Sequence, residues 1–228
     1  VNALDICDRF GITIELLAAG SNVALLNSQI KKFNPKFVCI FDGSKASEIE
    51  GCGAEIFVGE CGLLEALSKT SGKKVLNAIV GFAGLRSTLG CIELGKEVAL
   101  ANKESLVAAG KFIDISKITP VDSEHFALWY LNRGFGKIRK MTITASGGAL
   151  RDAPLGQIHA SSVCDVLKHP NWTMGRKITV DSATMVNKLF EIIEAYWLFG
   201  DKISYDAIIE TSSTIHAMIE FEDRKSVV

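Results

Sequence analysis

HPNWTMGRKITVDSATMVNKLFEIIEAYWLFG, residues 169–200, is the stretch that decides how the second half of the chain folds. Asp181 and Ser182 carry short polar side chains of the kind that cap the first backbone N–H groups of a helix. Apolar side chains then recur at helical spacing, namely Met185, Leu189, Ile192, Ile193, Tyr196 and Trp197. The stretch therefore predicts a long helix that begins at Asp181 and buries one face.

A second set of side chains on this predicted helix is polar. Asn187 and Lys188 precede Glu191 by four and three residues, so all three project from one helical face. Taken alone, the pattern is most simply interpreted as a solvated face with one weak ion pair. A functional interpretation needs partners from elsewhere in the sequence.

Two carboxylates upstream, Asp122 and Glu124, are candidates for such partners. In an extended segment, residues i and i+2 point to the same side, so this spacing brings the two carboxylates together. Like charges this close repel each other unless a cation or a proton lies between them. Glu191 would complete a set of three hard oxygen ligands, which suits Mg²⁺ or Mn²⁺. Since D-x-E is common in surface loops, the metal-site hypothesis depends on Glu191.

The composition places the chain among globular proteins of one or two domains. It has 228 residues, of which 48% are hydrophobic and 22% charged, and its net charge is −1. This balance argues against nucleic acid or a membrane surface as an obligatory partner. No apolar run approaches the roughly 18 residues of a membrane helix. The 6 cysteines form no C-x-x-C pair, which is typical of reduced thiols.

The first half of the chain alternates short apolar runs with helical patterns. Strands are predicted at residues 12–19, 37–41, 56–58, 75–80 and 98–100, and helices at 22–33, 63–68 and 84–94. Such alternation predicts βαβ units and a mostly parallel sheet. We therefore predict an α/β fold, with a Rossmann-like domain over residues 1–115 and an α+β catalytic domain over residues 116–228.

Within the predicted second domain, strands are expected at residues 141–145 and 215–221. Residues 153–180 lack a clear periodic pattern and predict a long loop. Long loops in compact domains tend to be functional lids or disordered linkers. Because Trp172 and Met174 would be unusual in a linker, the loop is interpreted as a mobile lid.

Polar turns that follow predicted strands are candidate ligand sites, because open α/β sheets bind ligands at the carboxyl ends of their strands. Gly20-Ser21-Asn22 and Asn102-Lys103-Glu104 could hold a nucleotide, and Ser146-Gly147-Gly148 offers backbone N–H groups to a phosphate. Ser182, at the predicted helix start, would add the helix dipole. Taken alone, each nucleotide turn is better explained as an ordinary turn, whereas a simple turn at Ser146 and a simple cap at Ser182 explain those residues equally well. A G-x-G-x-x-G loop is missing from the sequence.

Four segments in a fixed order carry a more specific signal. They are LANKESLVAAG (100–110), PVDSEH (120–125), TASGGALRD (144–152) and HPNWTMGRKITVDSATMVNK (169–188). Together they resemble the 1-deoxy-D-xylulose 5-phosphate reductoisomerase family, over essentially the whole chain. The resemblance implies a Rossmann-like NADPH-binding domain, and conversion of 1-deoxy-D-xylulose 5-phosphate to 2-C-methyl-D-erythritol 4-phosphate in non-mevalonate isoprenoid biosynthesis. NADPH and Mg²⁺ or Mn²⁺ (or Co²⁺) would be the cofactors.

The resemblance also assigns roles to individual residues. The implied metal ligands are Asp122, Glu124 and Glu191, and the implied catalytic residues are Lys103, Glu124 and His169. Implied contacts to the phosphorylated sugar come from Lys103, Ser123, Glu124, Ser146, His169, Trp172, Ser182, Asn187, Lys188 and Glu191. Implied contacts to the nicotinamide cofactor come from Gly20, Ser21, Asn22, Asn102, Glu104 and Gly175. His125, His159 and His216 are expected to be structural.

The sequence departs from the family pattern at three positions. Ser21 stands where the family often has Lys, Phe82 where it has a small residue, and Leu189 where it has Gly. Because the sequence begins at Val1, without the family's glycine-rich turn, we interpret it as a fragment that also lacks the family's C-terminal helical domain.

Several expectations about the whole protein stay open at this point. A homodimer is expected for the longer protein. The expected location is the bacterial cytoplasm, with a plastid-type organelle as the alternative. The rival functions are another metal-assisted nicotinamide dehydrogenase, which would need cationic clamps for a carboxylate, and an inactive folded fragment.

Overall fold

The computed structural model describes residues 2–134 and 136–228. Helices and strands alternate along the first part of the chain as predicted. They are α1 (Asn2–Arg9), β1 (Leu16–Ala19), α2 (Val23–Phe33), β2 (Phe37–Ile40), β3 (Glu55–Val58), α3 (Gly59–Lys69), β4 (Lys74–Asn77), α4 (Gly84–Glu93), β5 (Glu97–Leu100), α5 (Lys103–Ala109) and β6 (Ile118–Pro120).

The second part of the chain contains the remaining elements. They are α6 (Ser123–Leu131), β7 (Ile138–Ala145), α7 (Leu155–Ile158), α8 (Val163–Val166), α9 (Arg176–Ala183), α10 (Val186–Phe199), β8 (Ser204–Ile209), β9 (Ala217–Phe221) and β10 (Ser226–Val227). Among the helices of the described ranges, none combines the length and the apolar character needed to cross a bilayer.

The described chain divides into two compact units. The first contains the residues up to Val75 together with Arg86–Val98, and the second contains Leu76–Leu85 and Ala99–Val228. This division differs from the predicted boundary at residue 115, because α5 packs against α10 within the second unit. The boundary at 115 stays a prediction about the limits of the two domains.

The first unit is built on a parallel sheet of order β1-β2-β3. Leu17 pairs with Val38, and Val38 in turn pairs with Ile56. Leu17 and Val38 pack with Leu26 and Ile30 of α2 in a buried core. Asn22 caps α2 by accepting a hydrogen bond from the backbone N–H of Leu25 at 3.1 Å. The predicted α/β class with a parallel sheet is confirmed.

The second unit contains a mixed four-stranded sheet of order β10-β9-β7-β8. β7 lies in its interior, parallel to β8 and antiparallel to β9. The inward side chains of β7, Met141 and Ile143, pack with Leu128 of α6 and Ala195 of α10. A separate three-stranded sheet has the order β4-β5-β6. The strand β6 ends at Pro120, two residues before Asp122, and so positions the start of α6.

The predicted start of the long helix at Asp181 is wrong. Asp181 and Ser182 lie in the last turn of α9. The helical conformation is interrupted at Met185, which has a φ of 62°. A left-handed conformation is rare for residues other than glycine and ends a helix. Local sequence favours a cap at Asp181, yet the helix that carries Asn187, Lys188 and Glu191 begins at Val186.

The predicted long loop at residues 153–180 is also only partly correct. The short helices α7 and α8 and the start of α9 lie within it. Ser162 and Asp165 form a capping box at the start of α8, in which each side chain binds the backbone N–H of the other. This S-x-x-D pattern was present in the sequence as a helix-start signal.

A hydrogen-bond network around Glu15 in the first unit leads to a prediction about stability. The carboxylate of Glu15 accepts hydrogen bonds from the backbone N–H of Gly72 at 2.8 Å, from Ser71 Oγ at 2.9 Å and from Lys36 Nζ at 3.3 Å. The N–H of Gly72, followed by Ser71, lowers the pKa of Glu15 from 4.5 to about 2.

Replacing Glu15 by Gln should lower the free energy of unfolding by about 2 kcal/mol at neutral pH, since charge-assisted hydrogen bonds are lost. The folded pKa lies below the unfolded one, so this contribution is complete above about pH 4.5 and is lost as the pH falls towards 2. Urea unfolding at neutral pH and near pH 3 measures the change. Glu50→Gln is the control, because Glu50 pairs with Lys31 in an exposed ion pair and should contribute little. Equal losses in both variants would contradict the prediction.

Candidate metal and phosphate site

A cavity of about 370 Å³ in the second unit is lined by the residues predicted to bind the metal and the substrate. Residues from α5, α6, α9, α10 and the ends of β6 and β7 line it. The lining contains every residue predicted to bind the metal or the sugar phosphate, namely Lys103, Asp122, Ser123, Glu124, Ser146, His169, Trp172, Ser182, Asn187, Lys188 and Glu191. Residues as far apart in sequence as Lys103 and Glu191 are therefore brought together by the fold.

The carboxylates of Asp122, Glu124 and Glu191 form a cluster in this cavity. One oxygen from each lies within 4.8 Å of the others. The expectation that Asp122 and Glu124 converge on an extended segment is wrong, because Asp122 precedes α6 and Glu124 lies in its first turn. Their convergence comes from the β6-to-α6 turn, and Glu191 approaches from α10. Three hard oxygen donors at this separation suit a divalent cation such as Mg²⁺ or Mn²⁺.

Two lysines neutralise part of this negative charge. Lys103 Nζ lies 2.8 Å from Glu191 Oε1 and also pairs with Asp122. Lys188 Nζ pairs with the other oxygen of Glu191, lies 3.4 Å from Glu124 Oε1 and donates to the carbonyl oxygen of Thr144. The side chains of both lysines and of Glu191 are buried. Buried charges are stable only when paired in this way.

The electrostatic environment differs between the carboxylates. Burial raises the pKa of Glu124, and the neighbouring charges of Glu191 and Asp122 raise it further, to about 8. Burial would also raise the pKa of Asp122, but the charge of Lys103 and the hydrogen bonds from Glu124 and Lys103 together outweigh burial and hold this pKa well below its usual range. Burial would lower the pKa of Lys103, whereas Asp122 and Glu191 keep it above its ordinary value. Asp122 and Lys103 are therefore ionised at neutral pH, whereas Glu124 tends to hold a proton.

Small residues and hydroxyl groups form the other end of the cavity. Gly147 and Gly148 follow β7 with φ values of 99° and 66°, which favour glycine. A Cβ at Gly148 would collide with the carbonyl oxygen of Ser182, so only glycine allows the two loops to approach this closely. Ser182 does not lie at a helix start, and the N-terminus that reaches this cavity is that of α10, with Asn187 and Lys188 in its first turn.

His169 is held in one tautomer by its neighbours. The backbone N–H groups of Asn171 and Trp172 donate to His169 Nδ1 at 3.2 and 3.0 Å. The neutral ring must therefore carry its proton on Nε2, which lies 3.2 Å from Ser146 Oγ. Partial burial, followed by the charge of Arg151, lowers the pKa of His169, so the neutral form dominates near pH 7. This arrangement orients both Ser146 and the Trp172 backbone.

The residues predicted to contact the cofactor lie in both compact units. Gly20, Ser21 and Asn22 follow β1 in the first unit, where Ser21 is exposed and Asn22 caps α2. Asn102, Glu104 and Gly175 belong to the second unit. Asn102 is buried, caps α5 and donates to the carbonyl oxygen of Gly81 at 2.8 Å. Glu104 pairs with Lys177, and Gly175 precedes α9.

Three further residues lie near the carboxylate cluster: His125 and His216, which were expected to be structural, and Glu194, for which the sequence led to no prediction. His216 lines the cavity, with Nδ1 3.9 Å from Glu124 Oε1. His125 and Glu194 are fully buried behind Asp122, and their ligand atoms lie within 4.8 Å of it. A signal was available, because His125 is three residues from Asp122 and Glu194 is three residues from Glu191. Helical spacing places each on or next to the face of a predicted ligand.

The fold and the cavity together define a class of α/β protein. Its cavity holds a carboxylate cluster that suits a divalent cation, next to hydrogen-bond donors that suit a phosphate. Two models of one family match the chain. The 1-deoxy-D-xylulose 5-phosphate reductoisomerase model matches residues 1–110, and the model of that family's C-terminal domain matches residues 118–199.

Curated relatives and solved structures agree with these models. The 1-deoxy-D-xylulose 5-phosphate reductoisomerase of Helicobacter pylori (strain HPAG1) is 54% identical over 229 residues, which is 100% of this chain and 62% of the relative. That of Campylobacter curvus is 54% identical over 223 residues, 97% of this chain and 61% of the relative.

Among solved structures, a crystal structure of DOX-P reductoisomerase in complex with NADPH, fosmidomycin and magnesium matches with a TM-score of 0.86 and 33% identity, over 98% of this chain and 61% of that one. The enzyme from Zymomonas mobilis in complex with NADPH also has a TM-score of 0.86, with 35% identity over 98% of this chain and 62% of that one. The chain belongs to the 1-deoxy-D-xylulose 5-phosphate reductoisomerase family. It spans about three fifths of the length of the curated relatives it matches.

Trp172 supplies a test of the predicted lid. Its side chain lines the cavity yet is 48% exposed, so a ligand that covers it would remove apolar surface from water. Binding of a phosphonate hydroxamate, which carries a chelating group and a phosphate mimic, should shift the Trp172 emission to shorter wavelength. A fluorescence titration with Mn²⁺ present measures this shift.

Trp129 and Trp197 also emit, so Trp172→Phe is the control. The variant should bind the same compound with a much smaller change in emission. An unchanged shift in Trp172→Phe would show that the signal comes from elsewhere and that the segment around Trp172 does not close over the ligand.

Proposed function

We propose that this chain provides the NADPH-binding and catalytic parts of a 1-deoxy-D-xylulose 5-phosphate reductoisomerase. The reaction is the divalent-metal-dependent rearrangement and reduction of 1-deoxy-D-xylulose 5-phosphate to 2-C-methyl-D-erythritol 4-phosphate, a step of non-mevalonate isoprenoid biosynthesis. The observation that carries the proposal is the presence of the Asp122, Glu124 and Glu191 cluster and the phosphate donors in one cavity. Family membership supports the same reaction.

The donor set fits a hard divalent cation. Three carboxylates within 4.8 Å match the preference of Mg²⁺ and Mn²⁺ for oxygen ligands and leave positions for substrate oxygens. When bound, such an ion polarises a carbonyl and an adjacent hydroxyl of the substrate as a Lewis acid. Glu124, whose pKa is raised to about 8, must lose its proton to act as a ligand.

Besides pairing with the carboxylates, Lys103 would stabilise charge on the substrate. Its ammonium pairs with Asp122 and Glu191 in this structure, which are two of the three proposed ligands. A divalent cation on these oxygens would repel the ammonium and release it towards the cavity. There, Lys103 would stabilise negative charge that develops on a substrate oxygen. Ser123, which donates to Glu124 at 2.7 Å, would keep that carboxylate oriented.

The phosphate of the sugar would occupy the end of the cavity formed by Ser146, Ser182, Asn187 and Lys188. The backbone N–H groups at the start of α10 would add donors and the positive end of the helix dipole. His169 Nε2–H would donate to the substrate or hold Ser146 for it, and Trp172 would cover the carbon chain and exclude water.

NADPH is the proposed cofactor, with contacts from Gly20, Ser21, Asn22, Asn102, Glu104 and Gly175. When bound, it supplies the hydride that reduces the rearranged carbon skeleton. The Lys that the family often has at position 21 is Ser here. Lys45 Nζ, which donates to the carbonyl oxygen of Ser21 at 3.2 Å, brings a positive charge to the same turn. We assign to Lys45 the role of attracting the 2′-phosphate.

Three further features of the whole protein belong to the proposal. A domain boundary near residue 115 is supported by the two family models, which end at residue 110 and begin at residue 118. A homodimer and a bacterial cytoplasmic location are proposed on the strength of family membership and of the bacterial relatives.

Turnover tests the function directly. The chain should oxidise NADPH in the presence of 1-deoxy-D-xylulose 5-phosphate and Mn²⁺, as followed by the loss of the reduced nicotinamide absorbance. Asp122→Asn should lower the rate at least about 100-fold because it removes a metal ligand. Asp152→Asn is the control, since Asp152 pairs with Arg151 at the surface. An active Asp122→Asn variant would refute the proposed metal site, and an inactive wild-type chain that still binds Mn²⁺ and the sugar phosphate would identify it as a folded fragment without turnover.

Cofactor choice tests the role of Lys45. Lys45→Met should weaken NADPH binding about tenfold or more while leaving NADH binding nearly unchanged, because one charge-assisted contact to phosphate is lost. Titration calorimetry with both nucleotides measures the ratio. Lys31→Met is a matched control, since Lys31 pairs with Glu50 at the surface. Equal weakening of NADPH and NADH would exclude recognition of the 2′-phosphate by Lys45.

A further inference from the structure

A second set of metal-ligating atoms lies behind the carboxylate cluster. Asp122, His125 and Glu194 each offer one ligand atom, and these three atoms lie within 4.8 Å of one another. His125 belongs to α6 and Glu194 to α10. Neither side chain lines the cavity described above. His125 and Glu194 therefore lie outside the cavity proposed to hold the substrate, whereas Asp122 lines it.

Three polar atoms of this set are buried without a hydrogen-bond partner. His125 Nδ1 and both carboxylate oxygens of Glu194 have no hydrogen-bond partner among the described residues. Both residues are 0% exposed. Buried polar atoms almost always have a partner, and an unpaired buried carboxylate is especially unfavourable. Some positively charged or proton-donating species must compensate these atoms.

The hydrogen bonding of His125 indicates which species fits. His125 Nε2 lies 2.8 Å from the carbonyl oxygen of Glu191, and a carbonyl can only accept, so Nε2 carries the proton. Nδ1 then carries a lone pair, and it lies within 4 Å of carboxylate oxygens of Asp122 and Glu194. A ring that donates one N–H to a backbone carbonyl and offers its other nitrogen is the usual arrangement of a metal-binding histidine.

The distances are close to those of a coordination sphere. His125 Nδ1 lies 3.3 Å from Glu194 Oε2 and 3.9 Å from Asp122 Oδ1. Ligands about 2.0–2.1 Å from a tetrahedral ion are separated by roughly 3.3–3.4 Å. The Glu194 contact already has this value, whereas the Asp122 contact is longer. The 3.3 Å contact is also long for an O–H···N hydrogen bond.

We propose that Asp122, His125 and Glu194 form a second, buried site for a divalent transition-metal ion such as Zn²⁺ or Co²⁺. An imidazole nitrogen among the donors favours these ions over Mg²⁺. Asp122 is shared between the two sites, because one of its oxygens faces His125 while the other faces Lys103. The ion would be structural, since it joins α6, which carries Glu124, to α10, which carries Glu191.

The proposal does not depend on turnover. A proton shared between Glu194 and His125 is the competing explanation for the unpartnered atoms, and metal binding distinguishes the two. Co²⁺ is the probe, because a site of low coordination number with a nitrogen ligand absorbs visible light strongly, whereas an octahedral oxygen site absorbs weakly. The metal-free chain is titrated with Co²⁺ and its visible spectrum is recorded.

The expected result is an intense visible band that saturates at one Co²⁺ per chain. His125→Gln and Glu194→Gln should each abolish this band, while Glu124→Gln should keep it. His216→Gln is a matched control, because His216 lies near Glu124 in the cavity and its loss should leave the band unchanged. Circular dichroism identifies any variant that does not fold. If either His125→Gln or Glu194→Gln fails to fold, the spectrum of the other variant tests the proposal.

X-ray absorption at the cobalt edge adds a measurement on the wild-type chain that needs no variant, and imidazole scattering is expected. Three results would overturn the proposal. They are a spectrum without an intense band, a band that survives both His125→Gln and Glu194→Gln, and a band that is lost in Glu124→Gln or His216→Gln. The last would place the ion in the cavity cluster instead. The turnover assay is independent of all three outcomes.

Discussion

Charge compensation around the buried carboxylate of Glu191 is the constraint on which the second unit depends. Glu191 lies on α10, and its two oxygens pair with Lys103 of α5 and Lys188 of the same helix. Removal of either lysine would leave a buried charge without a partner, which costs several kcal/mol. The packing of α5 against α10 therefore requires these ion pairs. The cavity is consequently preformed, because the groups proposed to bind the metal also hold the helices together.

The periodic patterns of the sequence predicted most of the fold. Short apolar runs separated by polar turns located β1, β2, β3 and β5 to within a few residues, apart from the start of β1. The predicted start of α10 was wrong for a reason that local sequence does not contain. Asp181 is a good capping residue, but the backbone of Ser182 approaches Gly148 closely, and this contact joins segments that are far apart in the chain. The break at Met185 follows from that tertiary arrangement.

The candidate site was more predictable than the connections within it. Residues such as Asp122 and Ser146 stand just after strands, where α/β proteins place their ligands, and the four ordered motifs identified the family. The pairing of Lys103 with Glu191, 88 residues away, could not be derived from either motif. The unpartnered, buried positions of His125 and Glu194 were not predicted, because a single sequence does not reveal that a polar residue is fully buried. Burial without a partner is a property of the folded chain alone.

The left-handed residue Met185 has a geometric consequence. It divides what would be one rigid rod into α9 and α10, which meet at a single unfavourable backbone conformation. α10 carries the buried ion pairs of Lys188 and Glu191, whereas α9 buries Thr179 and Ala183 and pairs with α5 through Lys177 and Glu104. Ser182 therefore lies on a different helix from Asn187, Lys188 and Glu191, although all four line one cavity. Without the break at Met185, a single straight helix could not present both the hydroxyl of Ser182 and the carboxylate of Glu191 to that cavity in this arrangement.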